Sequence, residues 1–244
     1  SRARHASMNS GDGAVVVVPT YQEAANLPDL LDLILRALPA AKVLVVDDTS
    51  GDGTPELLRA HPLFGERLDL LERTGRRGFA SALLDGYRRA IGEGARVVVQ
   101  MDADFSHDPA DLPRFLDAIH EGADLVIGSR YCPGGEIRNW SKWREILSRC
   151  AGFYVRFWTD LPLRDPTAGF RAFRAESLSE IAKHPTRCDG YAFQIETAHR
   201  LWKQGADIRE IPVVFTERRE GKSKLSPRIV WETIFRIPNL NGHV

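Results

Sequence analysis

Three things are scarce in this 244-residue chain: long apolar runs, paired cysteines and any excess of one charge. No stretch approaches the roughly 20 apolar residues that a bilayer-spanning helix needs, and the opening SRARHASMNSGDG lacks the hydrophobic centre of a secretory signal. The expectation is a soluble or peripherally bound protein with residues 1–12 as a flexible tail. Three cysteines, Cys132, Cys150 and Cys188, form an odd set without C-x-x-C spacing. That argues against a disulfide framework or a zinc site and for a reducing, cytoplasmic compartment. Lys plus Arg and Asp plus Glu both total 33, so charge gives no reason to expect a nucleic-acid partner. No linker or repeat divides the chain, and its 43% apolar content fits one core.

What is present is alternation. Short apolar runs, β-branched at 14–18, 42–48, 95–102 and 123–130 and leucine-rich at 68–73, are separated by helical periodicity. Leu27, Leu30, Leu31, Ile34 and Leu38 follow an Asn26 cap, and Leu112, Phe115, Leu116 and Ile119 follow Pro109. This pattern predicts parallel strands with crossover helices, an α/β sheet covered on both faces. Further strands are expected at 170–174 and 208–215, with a helix from Gly190 through Trp202. In such sheets ligands sit beyond the carboxyl ends of the strands. The ends are polar or glycine-rich throughout: PTYQE (19–23), DDTSGDGT (47–54), RTGRRG (73–78), DADFSH (102–107) and GSRY (128–131). Loops are polar in any case, so each tip alone carries little weight.

With 18 aspartates, about one D-x-D is expected by chance. Asp102 and Asp104, however, directly follow an apolar strand, where two carboxylates can share a hard divalent cation, Mg²⁺ or Mn²⁺. The alternative is a turn and helix cap. Asp47 and Asp48 lead into a Gly-rich turn, so one of them is expected to be structural while the other reaches a ribose or base.

The succession PTYQE, DDTSGDGT, DADFSHDP, GSRYCPGG, DPTAGFR and ERREGKSKL resembles the inverting GT-A glycosyltransferases of family 2, specifically dolichyl- or polyprenyl-phosphate mannose synthases. The likeness runs from about Val15 to Leu225. It implies that Pro19, Tyr21, Glu23, Val46 and Asp48 hold the nucleoside of GDP-mannose. Asp102, the Ala103 backbone and Asp104 would meet metal and diphosphate, with Ser106 where relatives carry a third metal ligand, Gln. The same resemblance turns Arg130, Arg144 and Ser148 toward the acceptor phosphate and closes Arg218 and Lys224 over the donor diphosphate. Asp165 and Glu196 match motifs whose role, structural or catalytic, stays open. Departures are Gln22 for Asn, TSGDGT (49–54) for N-S-P-D-G-T, Ser106 for Gln, and GRRGFASA (75–82) for a more usual G-K-x-G-L-G-T-A.

Residues 139–159 mix Trp140, Trp143, Phe153, Tyr154, Phe157 and Trp158 with Lys142, Arg144, Arg149 and Arg156. The mixture reads as a membrane-interface segment or as core aromatics beside solvated cations. Arg144 and Ser148, four apart, share a helix face. Arg228, Glu232 and Arg236 recur every fourth residue in a C-terminal amphipathic stretch. The expected division is a tail to residue 12, a GT-A domain over 13–225 and an amphipathic segment over 226–244 with no transmembrane helix. A polyprenyl-phosphate acceptor at the cytoplasmic face of a membrane follows from the resemblance, with a separate membrane-anchoring partner as an option. Alternatives are the same chemistry with another donor such as UDP-glucose, a sugar nucleotidyltransferase, and a catalytically dead docking or sensing module.

Overall fold

The computed structural model describes residues 11–75, 78–184, 186, 188–217 and 235–240. The amino-terminal half alternates β1 (Ala14–Thr20), α1 (Leu27–Ala37), β2 (Lys42–Asp47), α2 (Thr54–Arg59), β3 (Leu68–Glu72), α3 (Phe79–Gly92), β4 (Val97–Gln100), α4 (Leu112–His120) and β5 (Leu125–Ser129). The remainder contributes β6 (Glu136–Arg138), α5 (Lys142–Thr159), β7 (Arg171–Arg174), α6 (Ala175–Lys183), α7 (Gly190–Lys203), β8 (Ile208–Pro212) and β9 (Val214–Thr216).

The β-branched run of β1 is buried on both faces because successive side chains point to opposite sides of the sheet. Val16 and Val18 join one core with Leu27, Leu30 and Ile34 of α1 and Phe115 of α4. Val15 and Val17 join the other with Leu83 and Tyr87 of α3, Leu178 of α6 and Phe193 of α7. Helix α3 approaches closely because Gly86 has no side chain. A Cβ there would lie 2.6 Å from a methyl of Val17 and 2.9 Å from one of Val46. Gly86→Ala gains about 0.5–1 kcal/mol of helix propensity but incurs about 1–3 kcal/mol of overpacking. A lower urea midpoint with an unchanged m-value is therefore expected.

Among the described residues seven strands form one sheet in the order β3-β2-β1-β4-β7-β5-β8, and β6 pairs with β9 in a second, parallel pair. The expectation of parallel strands holds except at β7, which runs antiparallel to both β4 and β5. Reversal has a positional consequence: the loop leading into β7, Asp165–Phe170, arrives at the edge where the parallel strands end. The run at 208–215 divides into β8 and β9, with Val213 buried between them. Asn26 does not cap α1 through its side chain, which instead bonds Glu23 at 3.1 Å. At the amino-terminal edge, Arg96 bonds the Asp12 carboxylate at 2.6 Å.

Candidate active site

Strand order lays out the chemistry along one sheet edge. From β2 to β5 lie four inter-strand steps, about 19 Å at the usual spacing. The turn from β2 to the β1 and β4 tips spans the point where strand order reverses, the customary ligand crevice of such sheets. Asp102 and Asp104 follow β4, and Arg130 follows β5. Above them, the β6–β9 pair carries Trp140, Phe215 and Glu217 over the crevice. Pro19, Glu23, Asp102, Ala103, Asp104, Ser106, Arg130 and Arg144 together line this cleft.

The turn after β4 is tightened by Phe105, a non-glycine residue at φ 59°. It lets the Ser106 amide donate to Asp104 at 3.1 Å, while the Thr216 amide donates to the Ser106 carbonyl at 3.1 Å. Asp104 is buried, and the Asp102 side chain is one-third exposed. Two carboxylates and a hydroxyl are hard oxygen donors. Among the described residues no three of His, Cys, Asp and Glu gather as a metal cluster. That donor set fits Mg²⁺ or Mn²⁺, which leave several positions to water and substrate phosphates, and does not fit a fully protein-enclosed ion.

At the other end Arg130 is 7% exposed and gripped by Asp165, with bonds of 2.7 and 2.6 Å from its Nε and Nη2 and 3.0 Å from its backbone amide. Thr167 accepts a further bond at 3.0 Å. Burial opposes the arginine's charge, but Asp165 more than offsets it and holds the guanidinium protonated beyond the ordinary arginine range. Asp165 is thus a positioning residue. Arg144 lies over the Trp140 ring at 4.1 Å and pairs with Glu217 at 2.6 Å. It belongs to the first turn of α5, capped by Ser141, where helix dipoles also favour an anion.

Not every expected residue reaches the cleft. Asp47 is the structural aspartate, accepting from Thr20 at 3.0 Å and from the Ser50 amide at 2.9 Å. Asp48 is bonded by Arg73 and by the Gly78 amide. Val46 turns its side chain into the core against Gly86. Tyr21, Val46, Asp48 and Ser148 lie outside the cleft lining. Ser148 faces Tyr131, whose phenol burial pushes up and whose neighbour Ser148 pulls down. Glu196 accepts from Thr186 at 2.8 Å and from the Cys188 amide at 3.2 Å, a structural role. Arg218 and Lys224 fall outside the described residues.

The match to the family model described as "Glycosyl transferase family 2" covers residues 15–182. This chain belongs to glycosyl transferase family 2. Within that family it is 42% identical to polyprenol monophosphomannose synthase of Mycolicibacterium smegmatis, over 91% of this chain and 84% of that protein. It is 40% identical to undecaprenyl-phosphate mannosyltransferase of Micrococcus luteus, over 91% of each chain. Glucosyl-3-phosphoglycerate synthase from Mycobacterium tuberculosis, solved with Mn²⁺, UDP and phosphoglyceric acid, superposes with a TM-score of 0.69 at 18% identity, covering 99% of this chain and 81% of that one. The shared architecture is the GT-A fold.

Several residues of this family 2 site were not singled out in the sequence. Arg171 is fully buried and donates to the carbonyls of Pro166, Ala168 and Gln194 at 2.8, 2.8 and 2.7 Å. Asp189 accepts from Gly190 and from Ala80, both at 2.8 Å, tying the starts of α7 and α3 together. His107 lies between Phe170 and Phe215, at 5.0 and 5.4 Å, and burial pushes its pKa down to about 4. Neutral imidazole is therefore the resting form. Gln194 brings an amide to the cleft wall.

Proposed function

We propose that the chain transfers mannose from GDP-mannose to the phosphate of a polyprenyl, dolichyl-type phosphate, inverting the anomeric centre to give a β-linked polyprenyl-phosphate-mannose. The supporting observation is one cleft with two carboxylates at one end and two arginines at the other, opening beside an exposed aromatic helix. Asp102 and Asp104, with Ser106, would hold Mg²⁺ or Mn²⁺, which supplies charge neutralisation for the departing diphosphate. Pro19 and Glu23 flank the nucleoside side, with Tyr21, Val46 and Asp48 just beyond at the β1 and β2 tips. Arg130, fixed by Asp165, and Arg144, fixed by Trp140, orient the acceptor phosphate for in-line attack. A phosphate monoester loses its second proton near a pKa of about 6, so the nucleophile needs no general base at neutral pH. Arg218 and Lys224 complete the reading on the donor diphosphate.

The acceptor's lipid character accords with α5. Only Gly152, Val155 and Thr159 of this helix are buried. Trp143 is 74% exposed, and Ile146, Leu147, Phe153, Phe157 and Trp158 are exposed along the same side. Lys142, Arg149 and Arg156, seven apart, border that face with positive charge. An apolar stripe edged by cations suits the headgroup boundary of an anionic membrane. Among the described residues no helix is long and apolar enough to cross one.

The test is transfer of radiolabelled sugar into lipid from GDP-mannose and from UDP-glucose, with polyprenyl phosphate, Mg²⁺ or Mn²⁺, and an EDTA control. Metal-dependent transfer from GDP-mannose alone is expected; transfer from UDP-glucose alone overturns the donor. In the same assay Arg144→Ala raises the acceptor KM about 10- to 100-fold and leaves donor KM unchanged. Donor binding lost with acceptor kinetics intact would remove Arg144 from the acceptor site.

A further inference from the structure

The two ends of the cleft are charged, and its wall also holds a neutral group that is left unsatisfied among the described residues. Gln194 of α7 lines the cleft, is 2% exposed, and has neither its Oε1 nor its Nε2 bonded to any partner among the described residues. Among the described residues it is the only side-chain amide in the cleft wall. Its place is fixed from behind, because its backbone carbonyl accepts from the buried Arg171 at 2.7 Å. A buried amide that holds its position without partners is costly unless a ligand supplies them.

The chemistry of the missing partner follows from the amide. A phosphate group only accepts hydrogen bonds and finds its donors at Arg130 and Arg144; a cation needs oxygen donors and finds them at Asp102 and Asp104. An amide that must both donate and accept is matched by hydroxyls, which do the same. The group located between a diphosphate site and an acceptor phosphate site is the transferred sugar. We infer that Gln194 reads hydroxyl groups of the donor hexose and so sets which sugar this chain transfers. The inference rests on the nucleotide-sugar reading of the cleft.

The experiment compares binding of GDP with GDP-mannose, and of UDP with UDP-glucose, in the presence of Mn²⁺, for the wild type, Gln194→Met and Gln194→Ala. Methionine keeps the volume and removes both polar atoms; alanine guards against a methionine that fits badly, and thermal unfolding checks both folds. The sugar nucleotide recognised by the wild type is expected to bind each variant about 10- to 100-fold more weakly, while its diphosphate changes less than about twofold. Equal weakening of sugar nucleotide and diphosphate, or no change in either, overturns the inference. A raised KM for polyprenyl phosphate with unchanged donor binding overturns it in favour of an acceptor contact. A wild type that binds UDP-glucose and ignores GDP-mannose removes the mannose reading alone, and the Gln194 comparison is then read on UDP-glucose. Binding of neither sugar nucleotide overturns both.

Discussion

Asp104→Asn is expected to fold as the wild type does and to lose turnover by about 100- to 1,000-fold. The amide oxygen of asparagine can still accept from the Ser106 backbone, which Asp104 does now at 3.1 Å. The turn therefore keeps its local bond, and unfolding free energy should stay within about 0.5 kcal/mol. What disappears is one unit of negative charge at the β4 tip, where a divalent ion would neutralise the diphosphate. Excess Mn²⁺ should restore part of the rate if weakened metal binding is the cause. A folded variant with near-normal turnover would remove metal from the mechanism.

The largest stability effect is expected at Asp165. Removing it by Asp165→Ala leaves Arg130 charged, buried and without its bidentate partner, a situation that costs about 3–5 kcal/mol. Urea unfolding should show the loss directly. Adding Arg130→Met to the same chain should recover part of the stability, because the stranded charge goes with it, and should recover no activity. A double variant no more stable than Asp165→Ala would mean that the loop into β7, and not the ion pair, carries the effect.

The amino-terminal sheet was legible because the β-branched runs of β1, β2, β4 and β5 are short, evenly punctuated and buried on both faces, whereas β3, an edge strand with no β-branched residue, is buried only at Leu68. The direction of β7 was not. Four residues, Arg171–Arg174, carry no mark of orientation, and antiparallel pairing follows from the path of the connection from β5 through α5. The carboxylates after β4 were legible from strand context, and Arg130 and Arg144 from motif order. The anchor for Arg130 was left open because Asp165 lies 35 positions away and meets it only once the sheet has formed. By composition alone the aromatic and basic residues of α5 favoured core aromatics beside solvated cations over a membrane-interface segment. Trp143 and Phe157 are instead exposed among the described residues, so these two rings are not core. Gln194 shares the run FQIE (193–196) with Glu196, yet only the glutamate was singled out, because an unpaired amide is a property of surroundings and not of spacing.

Arg171 joins its own loop into β7, through the carbonyls of Pro166 and Ala168, to the sequence-distant helix α7, through that of Gln194. The wall carrying Asp165 and Thr167, on the arginine side of the cleft, and the wall carrying Gln194 therefore share one anchor. The opposite rim has no such tie to Arg171 among the described residues: Phe215 and Glu217 hang from a two-stranded pair separate from the main sheet, so a variant at Arg171 should loosen the first wall without touching this one.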